Sequence, residues 1–180
     1  MKLKKFKVLF DKDYEQDWLN EMCAQGWALE SFFAGLYTFI PCEPGEYIYQ
    51  IDLLPGMGLK PEDPEGYVTF MEETGVEVLQ LWGRWSILRK RSEEGPFEIY
   101  TDAFSQIQLY NRIRKMFGWA LGIELLCSLS LWPQLSNSPW LWPFAVFYAA
   151  IFAAIVAAIV RCTRRIRQLD PQEPKERWHL

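Results

Sequence analysis

Three aspartates, Asp11, Asp52 and Asp102, each end a short apolar run ahead of a helical pattern, and a fourth carboxylate, Glu124, lies inside an otherwise apolar stretch. Carboxylates that converge in space hold a divalent cation or move protons. Carboxylates just ahead of helices cap first-turn N–H groups instead, for about 1 kcal/mol each. Placement before helices favours capping for all three, so no metal site is assigned. The usual acid–base partner is absent from the body of the chain, because the single histidine, His179, sits in a polar tail. Cys23, Cys42, Cys127 and Cys162 share no CxxC spacing, which removes zinc and haem signatures and fits a reducing compartment. The glycines of GMGLKPEDPEG, residues 56–66, have neither a GKS/GKT ending nor GxGxxG spacing. Glu72-Glu73 and Glu93-Glu94 read as solvated faces. These residues predict neither catalytic residues nor a cofactor.

The elements that must carry these residues divide at about residue 111. Residues 1–111 hold 10 Lys/Arg against 19 Asp/Glu, a net of −9, and residues 112–180 hold 9 against 4, a net of +5. An acidic domain does not suit nucleic acid, whose phosphates need the opposite sign. The opening MKLKKFKVLFDKD has no apolar core long enough for a signal peptide, so the N-terminus is expected in the cytoplasm.

Within residues 1–102 a pattern occurs twice, predicting an α+β domain. Strand FKVLFD (6–11) leads to helix 13–25, with Tyr14, Trp18, Leu19 and Met22 on one face and Gly26 closing it. WALESFF and LYTFIPC follow, turning at Ala34-Gly35. EYIYQID (46–52) restarts the series, with a helix over 65–74 closed by Gly75, then EVLQLW and RWSILRK turning at Gly83. FEIYTD (97–102) reads as a third beginning. The correspondences are Gly26/Gly75, Gly35/Gly83, Tyr37/Trp85 and Ile48-Tyr49/Ile99-Tyr100. Two β-α-β-β units with helices on one face of a mainly antiparallel sheet make a ferredoxin-like plan the expectation. Trp18, Phe39 and Phe70 are expected in the core. Trp27, Tyr37, Trp82 and Trp85 flank the turns, and strand alternation cannot bury all four on one face, so they are the candidate surface for a protein partner or an amphipathic cation.

Residues 103–115 read as a connecting amphipathic helix. Two apolar stretches, 116–132 and 140–160, follow around an uncharged outer loop, 133–139. The second has 21 uncharged residues, about 32 Å of helix and enough for a bilayer core. Arg112, Arg114 and Lys115 precede the pair and Arg161, Arg164, Arg165 and Arg167 follow it, so the positive-inside rule predicts a two-pass hairpin in the cytoplasmic membrane with both ends cytoplasmic. These seven basic residues are the candidate lipid-headgroup contacts, at about 1 kcal/mol each. Trp119 would lie at the inner boundary and Trp132, Trp140 and Trp142 at the outer one. The competing reading is a buried helical hairpin in a soluble protein. Gly118 and Gly122, with Ala149, Ala153 and Ala157, permit close helix approach within the hairpin, in a homo-oligomer or against a partner helix. Glu124 and Ser128 form a polar stripe, and Tyr148 is the phenol able to answer Glu124 from the second span. The tail 170–180 is polar and interrupted by proline, as in a disordered or short surface segment.

WLNEM (18–22) with Gly26-Trp27, Gly35-x-Tyr37-x-Phe39, Pro44-Gly45-Glu46-Tyr47-Ile48-Tyr49-Gln50-Ile51-Asp52, Glu73-x-Gly75, Gly83-x-Trp85 and Glu98-Ile99-Tyr100-Thr101-Asp102 resemble an uncharacterised bacterial family, the domain of unknown function numbered 2812. The resemblance spans roughly residues 4–115, and Val76 departs from the Trp expected there. It implies C-terminal membrane helices and a gene neighbourhood with PadR-type transcriptional regulators, and it supplies no catalytic residues. Two functional expectations result. One is a membrane-anchored, non-enzymatic regulatory or sensing protein whose acidic domain binds a protein partner, such as a transcriptional regulator or a membrane protein, or a small ligand. The other is an accessory subunit of a transporter or immunity system, acting through its helices and Glu124.

Overall fold

The structure, a computed structural model, describes residues 2–9, 11–58 and 60–170, without the side chains of 131–137 and 139. His179, the tail beyond Asp170 and the side chain of Trp132 lie outside the described residues. Two compact units divide between Ile99 and Tyr100.

The first unit is mixed α+β. Strand β1 (Leu3–Phe6) leads to helix α1 (Lys12–Ala24), then β2 (Trp27–Phe33) and β3 (Leu36–Pro41). Asp11 caps α1, its Oδ1 accepting from the amides of Asp13 and Tyr14 at 3.1 and 3.4 Å. Gly26 ends α1 at φ +84°, where a side chain would be strained. β4 (Tyr47–Leu53), a two-residue ribbon of β5 (Gly56–Met57) and β6 (Lys60–Pro61), α2 (Pro64–Glu73), β7 (Glu77–Trp82) and β8 (Trp85–Arg91) follow.

The strands form two three-stranded antiparallel sheets rather than one, ordered β1-β3-β2 and β4-β8-β7. Each has a bulge in the edge strand of its hairpin, between Leu29 and Ser31 in β2 and between Val78 and Gln80 in β7. Both bulges, and the hairpin positions Ala34 and Gly83, fall 49 residues apart, the offset of Gly26 and Gly75. Gly83 therefore matches Ala34 rather than Gly35, and Trp85 matches Leu36 rather than Tyr37. That corrects the two correspondences drawn from sequence.

The helices do not share one face. Leu19, Met22 and Cys23 of α1 enter a core with Leu29, Tyr37 and Phe39 of the first sheet and Tyr49, Ile51 and Ile87 of the second. The opposite face of the second sheet packs Leu88, Ile48 and Val78 against Met71 and Tyr67 of α2. Phe97 and Ile99 join this second core, and residues 97–102 form no strand, contrary to expectation. The first strand also lies earlier than expected and ends at Phe6. Phe39 is buried and Trp18 packs against the core, but Phe70 is 59% exposed, on the outward side of α2.

Two side chains of α1 take the place of a neighbouring strand at the edge of β4. Asn20 accepts from the Tyr49 amide at 2.8 Å and donates to the Tyr49 carbonyl at 3.1 Å, while Gln16 accepts from the Ile51 amide at 3.3 Å. The two sheets also meet through side chains. Gln80 accepts from the Phe32 amide at 2.8 Å and donates to the Phe32 carbonyl, and Arg89 donates to the Leu29 carbonyl at 3.3 Å.

The second unit holds α3 (Ala103–Asn137) and α4 (Trp142–Leu169), which pack against each other. Asp102 caps α3 through the Ser105 amide at 3.0 Å. The helix runs without a break through the segments expected as connector, first span and most of the outer loop. Residues 133–137 are helical, and the reversal is confined to Ser138–Leu141. α4 continues past Val160 and carries the terminal arginines. Among the described residues, α4 alone is long and apolar enough to cross a membrane. Only 11% of its apolar window is buried within the chain.

Candidate functional site

The turn-flanking aromatics separate into different environments. Tyr37 is 1% exposed and belongs to the core, which removes it from the candidate surface. Trp27 and Trp85 are half-buried against the same core, and Trp82 is 53% exposed. Tyr37 faces inward because β3 alternates and Phe39, two residues on, takes the same face.

An aromatic chain connects these positions. The Trp18 ring stands edge-on to Tyr37 with centroids 4.8 Å apart, Tyr37 lies 4.6 Å from Phe32, and Phe32 meets Trp82 at 5.7 Å. The chain starts on α1, crosses the inner face of the first sheet and ends on the exposed indole of β7. Within it, the buried Tyr37 donates its hydroxyl proton to Glu15 Oε1 at 2.7 Å. Burial pushes the Glu15 carboxyl above its ordinary range, and the Tyr37 hydrogen bond offsets part of that shift. Burial and the Glu15 carboxylate both raise the Tyr37 hydroxyl. Lys7 Nζ lies 4.6 Å from the centroids of both Tyr14 and Trp18, a cation–π contact made by the chain's own ammonium.

A second polar group lies on the α2 side of the second sheet. Asp52 was expected to cap a helix, but β4 continues one residue beyond it and places it opposite Ser86. The cap of α2 is Asp63, which accepts from the Gly66 amide at 3.0 Å, after the β5–β6 ribbon that the sequence pattern did not reveal. Asp52 is 1% exposed and accepts from the Leu53 amide at 2.7 Å and the Tyr67 hydroxyl at 3.0 Å; Ser86 Oγ is 3.1 Å from that hydroxyl. Such a network satisfies buried polar groups and fixes α2 on the sheet, because solvent and substrate do not reach Ser86 or Asp52. The three aspartates thus have separate local roles: Asp11 and Asp102 cap helices and Asp52 lies inside a strand. No metal-holding cluster of His, Cys, Asp and Glu occurs among the described residues.

Cys23 and Cys42, unrelated by spacing, bring their sulfurs to 4.0 Å, and Cys23 also accepts from the Tyr47 amide at 3.3 Å. Burial first, then the neighbouring Cys23, pushes the Cys42 thiol up to about 11. Sequence reading missed this pair and the Gln16–Asn20 edge contact. The signal for the latter was two amides spaced i, i+4 beside the apolar stripe of Leu19 and Cys23.

In the second unit, Gly118 and Gly122 are exposed, and a Cβ at either would meet nothing within 4 Å. Ala149 and Ala153 are exposed and Ala157 half-buried, so the buried small residue of α4 is Ala158, next to Ile155 and Cys162. Gly118, Gly122, Ala149 and Ala153 therefore lie largely off the α3–α4 contact, the first of the three close approaches expected of them. Among the described residues Glu124 Oε1 is buried without a hydrogen-bond partner, while Tyr148 is half-buried on α4 and Ser128 Oγ donates to the Leu125 carbonyl at 2.8 Å. Lys115, Arg161, Arg164, Arg165 and Arg167 are exposed. Arg112 donates to the Tyr100 hydroxyl at 2.6 Å, and Arg114 to Asn111 at 2.9 Å.

These features define a class: a mixed α+β unit joined to a helical unit with one helix able to cross a membrane. The chain belongs to the family described as "Protein of unknown function (DUF2812)", whose model matches residues 11–121, from the α1 cap into the apolar part of α3. No curated protein matches the chain, and no solved structure does.

Proposed function

We propose that this chain is a membrane-anchored, non-enzymatic regulatory module whose acidic α+β unit binds a cytoplasmic protein or small ligand. The reading takes that unit as one domain built of two β-α-β-β units, as in the expected ferredoxin-like plan, and α3–α4 as a hairpin with both termini in the cytoplasm. The shared strand order of the two sheets supports the first, and the basic residues at both outer ends of the helices support the second. The observation that carries the proposal is the exposed Trp82 at the end of an internally packed aromatic chain, on a chain that also carries a membrane-length helix. A solvent-facing indole supported by a rigid aromatic stack is the type of side chain that anchors protein interfaces. Trp27 and Trp85 border the contact, and the exposed arginines of α4 meet anionic headgroups.

The unpartnered Glu124 oxygen favours a second reading, an accessory membrane subunit working through its helices, because an intramembrane carboxylate needs a partner. Cross-linking in native membranes separates the two. Under the first reading, Trp82→Ala loses a soluble regulator that Glu124→Gln retains. Capture of a membrane protein that Glu124→Gln alone abolishes would establish the second.

A further inference from the structure

We propose that the outer face of the β1-β3-β2 sheet, at its hairpin end, docks on an anionic bilayer surface, with Phe6, Phe33, Leu36 and Val8 entering the headgroup–acyl boundary and Lys4 meeting lipid phosphate. The register places Phe6, Leu36 and Phe33 directly opposite one another across three strands, so all three share a face. Tyr37, Phe32 and Lys5 take the other face, toward the core. Phe6 and Phe33 are each 73% exposed, Val8 56% and Leu36 38%. The patch is continuous around the turn. The Lys7 amide donates to the Gly35 carbonyl at 2.8 Å, and a Cβ on Gly35 would lie 3.2 Å from the Phe6 ring and 3.4 Å from Val8 Cγ2. Two exposed phenylalanines in one row exceed the scattered apolar exposure of an ordinary surface.

Charge selects the occupant. Residues 2–8 carry four lysines and no acid, whereas residues 1–111 as a whole have a net of −9. Of these lysines, Lys2 pairs with Glu30 at 2.6 Å, Lys5 turns to Met22, Lys7 lies over aromatic rings, and Lys4 is exposed beside the apolar row. This basic end is where an acidic unit can approach an anionic surface without repulsion, and apolar side chains rimmed by lysine have the composition of interfacial anchors. A second copy docked on the same patch would set lysine against lysine. The surface differs from the Trp82 contact, since Trp82 lies against Phe32, on the opposite face of β2 from Phe33.

The inference rests on the membrane-anchor reading, which holds the patch near the bilayer. The full chain with Phe33→p-benzoylphenylalanine, one copy per nanodisc, is irradiated in phosphatidylcholine with and without phosphatidylglycerol, and adducts are identified by mass. Lipid adducts should form at position 33 in anionic discs and fall about fivefold in Lys4→Gln, the effect of one basic residue near the surface. The same probe at Phe70, exposed on α2, should give few. Equal adducts at 33 and 70, no dependence on anionic lipid, or adducts to protein when two copies share a disc would overturn the docking. A chain that does not enter nanodiscs would instead overturn the anchor reading.

Discussion

Replacing Asn20 by Ala should loosen β4 specifically at Tyr49. The Asn20 amide makes two hydrogen bonds to the Tyr49 backbone, at 2.8 and 3.1 Å, on an edge that no strand among the described residues covers. Each is worth about 1 kcal/mol net. Alanine returns roughly 0.5 kcal/mol of helix propensity, leaving a loss of about 1.5 kcal/mol. A local opening of that size speeds exchange about tenfold. Amide hydrogen exchange resolved to Tyr49, on the full chain in micelles, is the assay. Asp17→Ala, one turn away and exposed, serves as the control. Asn20→Asp keeps an acceptor for the Tyr49 amide and loses the donor to its carbonyl, so it should fall between the two. Exchange at Tyr49 within twofold of the parent in Asn20→Ala would refute the argument that helix side chains replace a strand here.

Glu15→Gln should be more stable than the parent at neutral pH. The folded carboxyl titrates above 4.5 because of burial, so the parent's stability is complete below that value and declines as pH rises through the folded pKa; denaturant midpoints of the two should converge in acid. Ala34 is the one non-glycine at positive φ among the described residues, at +47°, so Ala34→Asn should stabilise the hairpin by about 1 kcal/mol, read from the unfolding midpoint. With its thiol pushed up to about 11, Cys42 should alkylate at neutral pH about tenfold more slowly than an unperturbed thiol, since a smaller thiolate fraction is partly offset by a more nucleophilic thiolate, measured by mass against time.

Much of the first unit was legible because its signals are local. Gly26 and Gly75 close helices, Ala34-Gly35 and Gly83 turn hairpins, and the alternation of β2, β3, β7 and β8 marks their strands. What was illegible depends on distant partners. Asp52 looks like a cap until the β5–β6 ribbon moves α2 downstream to Asp63. FEIYTD has the composition of a strand, yet Phe97 is taken into the core beneath α2. Tyr37 and Phe70 exchanged their expected exposures because α1 covers the inner face of β3 while the outward side of α2 is left bare. In the second unit, the Pro- and Ser-containing run after Trp132 reads as a loop, but the helical backbone continues to Asn137. The aromatic surface was half readable. Alternation showed that the four turn-flanking rings could not all be buried, while only the fold selects Trp82 as the most exposed.

The polar join between the two sheets is made by side chains, Gln80 and Arg89 reaching across to Phe32 and Leu29 and the Tyr49 hydroxyl accepting from the Leu29 amide at 2.9 Å, not by a ladder of backbone pairs. A ladder ties neighbouring strands at every second residue, whereas this seam depends on a few side chains and on the core that the two sheets share with α1. Each three-stranded half keeps its own pairing if the seam parts, so the halves of two molecules could trade places while every strand ladder stays intact. Substitutions at Gln80 and Arg89 would then favour an exchanged dimer over an unfolded chain.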